Sequence, residues 1–428
     1  MDLDIYLGSR WHRCASVTLL DAGNPARRGR VRLQYEADYA VEHLQARDLR
    51  ALSVRAPVNL GTRDLPHWPS FLIDLLPQGA ARRRIERLSN GALSDWELLE
   101  RGAVNPVGNL RVRPKAERHQ DLHRGFELKD MVSRGDSFVE YAHEAGATVA
   151  GATDTQGEAP KFWVAEDEQG RWHPDNGALG FPVRRHMLLK FPVPEAGEWA
   201  REILYHEATY QRIAQRLGLR VTQVLPEAVD GALLIPRFDR RFAGGREVRL
   251  GVESLYSVIG VLDSADNAIR HHEILIGLSG CVDDFESELL EYVRRDLLNL
   301  ALGNRDNHGR NTAVLKDIDG SMRLAPLFDF GPAFLDARAL ARVIHWDGED
   351  AGRRDWNHIV KNLATRFEEA QVPFSNWPSL VDALQDFAPV LDALPRLMAE
   401  NGVAAHIVAR RQEDIAQLAR ELRVLRRE

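Results

Sequence analysis

Cysteine is almost absent from this sequence: among 428 residues there are only Cys14 and Cys281. That excludes a disulfide framework and any four-cysteine zinc site, and it suits a reducing compartment. Long apolar runs are missing too. No stretch approaches the ~18 residues needed to span a bilayer, and the opening "MDLDIYLGSRWHRC" has no signal-peptide core. The expectation is a cytoplasmic protein without a membrane partner. An excess of basic charge is also lacking: 56 Lys and Arg face 63 Asp and Glu, a net charge of −7. Overall charge therefore gives no reason to expect nonspecific nucleic-acid binding, although a local basic patch is compatible with it. There is no internal repeat or low-complexity tract, and no H-E-x-x-H, G-x-S-x-G or Walker A pattern.

What is present is an ordinary globular composition, 44% apolar and 28% charged, in a chain long enough for two or three domains. "LDIYLG" and "RVRLQY" alternate like strands, with "NPARRG" as a turn between them. "FLIDLLPQGAARRRIERL" and "DWELLERGA" read as helices, and "VGNLRVRP" as a closing strand. A polar stretch, "KAERHQDLHRG", then reads as a linker. From about 160 to 240, "KFWVAED", "RHMLLKFPV" and "GALLIPRFDRR" are strand-like, with the amphipathic "EWAREILYHEATYQRIAQRLGL" between the last two. After about 250 helical patterns dominate, beginning with "VESLYSVIGVL" and including "FESELLEYVRRDLLNLALG", "SLVDALQDFAPVLDAL" and the terminal "AHIVARRQEDIAQLARELRVLRRE". The expected fold class is α+β: a two-lobed, kinase-like arrangement with a small mixed β-sheet lobe, an added N-terminal β-rich subdomain and a larger all-α lobe. The expected domains are 1–115, 116–245 (phosphate loop 145–161, hinge 234–241) and 246–428.

Behind the apolar helix "YVRRDLLNLALG" comes a polar knot, "GNRDNHGRN". Asp306 and Asn311 have the spacing by which kinases place a carboxylate on the acceptor hydroxyl and an amide oxygen on magnesium. Farther on, "LAPLFDFG" supplies Asp329 as the second metal-binding carboxylate. Neither motif is specific alone, since a D-x-x-x-x-N arises about once by chance in a chain this long. Their order is more specific: helix, polar loop, strand, Gly-containing turn, strand, then D-F-G. An oxygen-rich pair of this kind suits Mg²⁺. His308 could contact phosphate or brace the loop. In the sheet lobe, "AGATVAGATDTQGEAPK" is a candidate phosphate loop ending at Lys161, and Lys190 closes the apolar strand "MLLK". Glu207 on the following helix is the natural partner of Lys190. A strand-end lysine and a helix-surface glutamate in solvent is the plainer alternative.

With these residues in place, the chain resembles the HipA-type kinases, toxins of bacterial toxin–antitoxin modules. "DWELLERGAVNPVGNLRV", "MLLKFP", "YHEATYQRIAQRLGL", "LLIPRFDRR", "GNRDNHGRNTAVL" and "LAPLFDF" carry the resemblance in the family's order. It implies Asp306 as catalytic, His308 as a nucleotide contact, and Asn311 and Asp329 as Mg²⁺ ligands. It also implies Lys161 and Lys190 on the phosphates of ATP, with Pro236, Arg237 and Phe238 at an adenine-binding hinge. Thr148 falls where the family autophosphorylates a serine. This sequence departs from the pattern in the nine residues between Gly151 and Lys161, in Arg310 where lysine is common, and in His206 before Glu207. The resemblance further implies a serine/threonine kinase whose protein substrate could be an aminoacyl-tRNA synthetase. A small helix-turn-helix antitoxin would be its partner, with DNA reached only through that antitoxin. Two alternatives stand beside this reading: a small-molecule kinase of the choline or aminoglycoside type, and a catalytically weak antitoxin-binding co-repressor.

Overall fold

The computed structural model describes residues 1–21, 25–103, 105–115, 125–133, 161–175, 179, 181–192, 197–223, 225–243, 245–263, 269–338, 341–350 and 353–426. Thr148 and the stretch 145–160 lie outside the described residues. The chain forms two compact units, neither continuous in sequence. The first is Met1–Ala196 with Pro226–Leu262 and Ala313–Met322; the second is Gly197–Leu225 with Asp263–Thr312 and Arg323–Glu428.

The first unit is built on antiparallel sheets. Strands β1 (Asp2–Leu7), β2 (Arg10–Leu19), β3 (Val31–Tyr35), β4 (Arg63–Leu65) and β5 (Leu110–Val112) are ordered β4-β3-β2-β1-β5. In β3 the alternation is strict: Val31, Leu33 and Tyr35 are buried, Arg32 and Gln34 exposed. Strand β2 shows no clear alternation in the sequence, because its mixed polar composition hides its period. The stretch expected as one helix, "FLIDLLPQGAARRRIERL", forms two, Phe71–Asp74 and Gly79–Leu88. Pro77 lies between them, and Gly79 takes φ +51°. The next helix, Asp95–Gly102, starts on a capping box from Ser94 and Glu97.

The second sheet of this unit contains β6 (Lys161–Asp167), β7 (Trp172–Pro174), β8 (Val183–Lys190), β9 (Glu227–Val229) and β10 (Ala232–Pro236), ordered β7-β6-β8-β10-β9. Phe162, Val164, Met187, Leu189 and Leu234 form its core. A hairpin follows, β11 (Arg240–Ala243) with β12 (Arg246–Arg249). The reading of 252–262 as wholly helical is corrected: β13 (Gly251–Ser254) precedes a short helix, Leu255–Ile259. Strand β13 pairs with β14 (Ala313–Lys316), which directly follows the polar knot. Glu253 meets Lys316 Nζ at 2.7 Å, both buried. A strictly all-α region after 246 is therefore not what forms, because these strands find their partners within the sheet-rich unit.

The second unit is helical: Glu198–Arg216, His271–Ser279, Phe285–Leu302, Trp356–Glu369, Trp377–Glu400 and Ala405–Arg423. Helix Phe285–Leu302 begins on an Asp284 cap to Ser287 N at 3.1 Å and packs on the last two helices. It ends at Gly303, with φ +75°. No helix among the described residues is long and apolar enough to cross a membrane.

Candidate active site

In the second unit the polar knot folds back on itself. Asn311 Nδ2 donates to the Asp306 carbonyl at 2.8 Å, and Asn311 N donates to the His308 carbonyl at 2.9 Å. Arg310 N donates to His308 Nδ1 at 3.2 Å, leaving His308 Nε2 3.5 Å from Asp306 Oδ1. His308 is buried and its first visible work is bracing the loop, whereas the Asp306 carboxylate is partly open to solvent. Because the amide nitrogen of Asn311 is committed inward, its oxygen is presented elsewhere. That Oδ1 is buried and accepts no hydrogen bond among the described residues. An orphaned buried acceptor is costly unless something electropositive completes it.

Asn311 and Asp329 line the same small polar cleft, with Asp296, Asn299 and Asn304. Asp329 takes φ +51°, a left-handed conformation costing about 1 kcal/mol for a residue with a Cβ. Packing holds it there: Phe330 is fully buried, its ring 5.6 Å from Tyr210, and Gln211 Nε2 donates to the Leu327 carbonyl at 2.9 Å. Glu207 is buried on the same helix as Tyr210, and a Cβ on Gly331 would lie 3.7 Å from its own. Among the described residues no group of three or more His, Cys, Asp or Glu could hold a metal. The donors present still fit magnesium, which commonly takes one or two protein oxygens and completes its shell with phosphate and water.

One supporting residue escaped the sequence reading. Asp296 accepts from Asn307 Nδ2 and Trp346 Nε1 at 2.8 Å each, and from Arg342 Nη2 at 2.8 Å, so it ties the knot to the 342–346 segment. Burial opposes its charge, but Arg342 and its other neighbours hold the carboxyl below its usual range. Burial also pushes His271, stacked on Trp346 at 4.2 Å, down to about 3, so it stays neutral. The signal available was a lone carboxylate on the apolar helix run "DLLNLAL".

In the first unit Lys161 and Lys190 are directly opposite each other on β6 and β8. Facing residues of an antiparallel ladder share one side of the sheet, and like charges there repel unless an anion lies between them. Pro236 ends β10, and Phe238 is half-buried. Arg237 has a different setting from a ligand contact. Its side chain is buried beneath Trp163, 3.9 Å from the ring centroid, and its Nη2 meets Asp239 Oδ2 at 2.7 Å. Asp239 also binds Arg240 and accepts from Gly108 N, both at 2.7 Å. What Arg237 can offer a hinge is its backbone, whose N–H already pairs with the His186 carbonyl. Lys190 and Glu207 belong to different units.

The HipA-like C-terminal domain family matches residues 153–386, more than half of the chain and all of the loop, cleft and lysine strands above. The chain belongs to this family. A curated relative, "Putative kinase Y4mE" of Sinorhizobium fredii, is 31% identical over 137 residues, covering 29% of this chain and 31% of that protein. The match thus spans about a third of that relative's length. Among solved structures, HipA in a Shewanella oneidensis toxin–antitoxin complex with HipB and operator DNA superposes with a TM-score of 0.66. It covers 99% of this chain and 100% of that one at 16% identity. This establishes a shared HipA kinase-like fold, mixed α+β with sheets early and helices late.

Proposed function

We propose that this HipA-family chain is an ATP- and Mg²⁺-dependent protein serine/threonine kinase and the toxin of a cytoplasmic toxin–antitoxin module. The observation that carries the reading is Asn311 Oδ1, a buried acceptor with no donor among the described residues, in the cleft that Asp329 also lines. Asp306 accepts the proton of a serine or threonine hydroxyl as its oxygen bonds to the γ-phosphorus and the bond to ADP breaks. Asn311 and Asp329 would hold Mg²⁺, which would neutralise charge on the phosphates. Lys161 and Lys190, in facing positions on β6 and β8, would take the same phosphates from the sheet. Glu207 would orient Lys190, Pro236 and the 237–238 backbone would flank the adenine, and Thr148 is the autophosphorylation candidate. The domain scheme 1–115, 116–245 and 246–428 belongs to the same proposal.

The substrate is proposed to be a translation protein such as an aminoacyl-tRNA synthetase. The restraining partner would be a small helix-turn-helix antitoxin, as HipB accompanies HipA in the Shewanella complex. Incubating the protein with γ-labelled ATP and a cell lysate tests the reading. The expected result is Mg²⁺-dependent label on one dominant protein, lost with Asp306→Asn. Label appearing only on small molecules would point to a small-molecule kinase, and ATP binding without transfer to a co-repressor.

A further inference from the structure

A helix terminus leaves its last four carbonyls without intrahelical partners, and helix Phe285–Leu302 ends immediately before the catalytic loop proposed above. Every one of those carbonyls is nevertheless satisfied. Asn299 O accepts from Gly303 N and, at 2.9 Å, from Asn304 N. Leu300 O and Ala301 O accept from Arg411 Nη2 at 2.8 Å and Arg411 Nε at 3.0 Å. Leu302 O accepts from the Tyr210 hydroxyl at 3.1 Å, and the capping Gly303 O from Phe334 N at 3.1 Å. Two of the four thus depend on one guanidinium from the terminal helix Ala405–Arg423, outside the family-matched segment.

Arg411 is buried, and its guanidinium carbon lies 5.3 Å from the centroid of the Phe334 ring. A Cβ on Gly303 would fall 2.6 Å from Phe334 Cδ1 and 3.1 Å from Arg411 Nε, so the three groups leave no free space. Gly303 lies just before Asp306, and Phe334 lies just after Asp329. The guanidinium therefore donates to the helix end before Asp306 and lies over the Phe334 ring after Asp329, while Asp414 pairs with its Nη1. Its charge also complements the negative end of the helix dipole.

We propose that Arg411 is a positioning residue for phosphoryl transfer. By joining the end of helix Phe285–Leu302 to the 333–335 turn, it sets the spacing of Asp306 and Asn311 from Asp329. This rests on the kinase reading above. Lysine cannot substitute, because two carbonyls one residue apart need two donors in a fixed fork rather than one ammonium. Misplacement on the scale of ~1 Å costs about 10²-fold in rate, and that sets the size of the effect.

The test compares Arg411→Lys and Phe334→Leu with wild type, well below their unfolding temperatures. Measured are kcat, KM for ATP, the Mg²⁺ concentration for half-maximal rate, and amide hydrogen exchange at Gly303 and Phe334. The expected result is a kcat lower by about 10- to 100-fold, a raised Mg²⁺ requirement, an unchanged KM for ATP, and faster exchange at both amides. Millimolar guanidinium should partly restore Arg411→Ala. Folded variants with wild-type kcat and Mg²⁺ requirement, even with a lower Tm, would overturn the inference. If Arg411→Lys does not fold, the same readouts on Phe334→Leu decide. If wild type shows no Asp306-dependent transfer, the kinase reading fails and this inference with it. If wild type transfers phosphate and the variants match it, this inference alone falls.

Discussion

Two stretches of this chain look alike on paper, "RFDRR" at 237–241 and "NRDNHGRN" at 304–311, since both alternate arginine with aspartate and neighbour an apolar run. They fold to opposite outcomes. Around the first, Arg237, Asp239 and Arg240 cross-match one another, and they clasp the 106–108 backbone. Nearby, His186 Nδ1 meets Asp175 at 2.7 Å, with Glu247 3.5 Å from its other nitrogen. Around the second, the internal bonds are arranged so that Asn311 Oδ1 is left over and Asp329 is held in a strained conformation. The first cluster also leaves donors without a hydrogen bond among the described residues, Arg237 Nη1 and His186 Nε2. Each nevertheless lies within 4 Å of a carboxylate, of Asp175 and Glu247 respectively, and such a cluster is glue. One that leaves an acceptor open in a cleft is equipped to bind.

The sharpest way to break that contrast is Asp306→Asn, expected to lower phosphoryl transfer by roughly 10²- to 10⁴-fold with an unchanged unfolding midpoint, as read by labelled-ATP assay and thermal denaturation. Asp239→Ala should do the reverse. Removing one member of a buried charge network costs about 3–5 kcal/mol, read as a lower urea midpoint, because Arg237 and Arg240 lose their common carboxylate and Gly108 N its acceptor.

A smaller effect is set by pH. Burial opposes the charge on His186, but Asp175 and Glu247 outweigh it, and its pKa is raised above 6.5. The stabilisation is full below the unfolded value of about 6.5 and is lost as pH rises through the folded value. Denaturant stability should therefore fall as pH rises above about 6.5, and His186→Gln should flatten that slope. At the acid end the sign reverses. Burial would raise Glu247, yet His186 and Arg249 bring it down to about 2, so its contribution persists above the ordinary carboxylate range and disappears toward pH 2. The smallest effect concerns the facing lysines. Lys161→Met should raise KM for ATP, measured by steady-state kinetics. An unchanged KM would contradict the anion-site reading of that pair.

Much was legible beforehand because local pattern carried it. The D-x-x-x-x-N and D-F-G spacings, the strand ending at Lys190 and the long amphipathic helices follow from residue order and period alone. Strand β2 was not legible, since its polar residues mask alternation that only pairing with β1 and β3 makes plain. The role of Arg237 was not legible either. Whether a guanidinium beside an aspartate faces a ligand or a buried partner depends on what the rest of the chain brings to it, here Trp163 and the 106–108 loop.

By itself, then, the sequence determined most of the element types, though not strands β2 and β13, together with the HipA-like motif order and the identity of the acidic residues, all of which are short-range properties of the chain. Tertiary structure alone decided which polar groups cancel and which stay available. It turned the Asn311 amide so that its oxygen is spare, and it brought Arg411 to carbonyls more than a hundred residues away in sequence. The physical reason is that hydrogen-bond satisfaction is a property of the packed interior, where each donor is matched to whatever acceptor folding delivers.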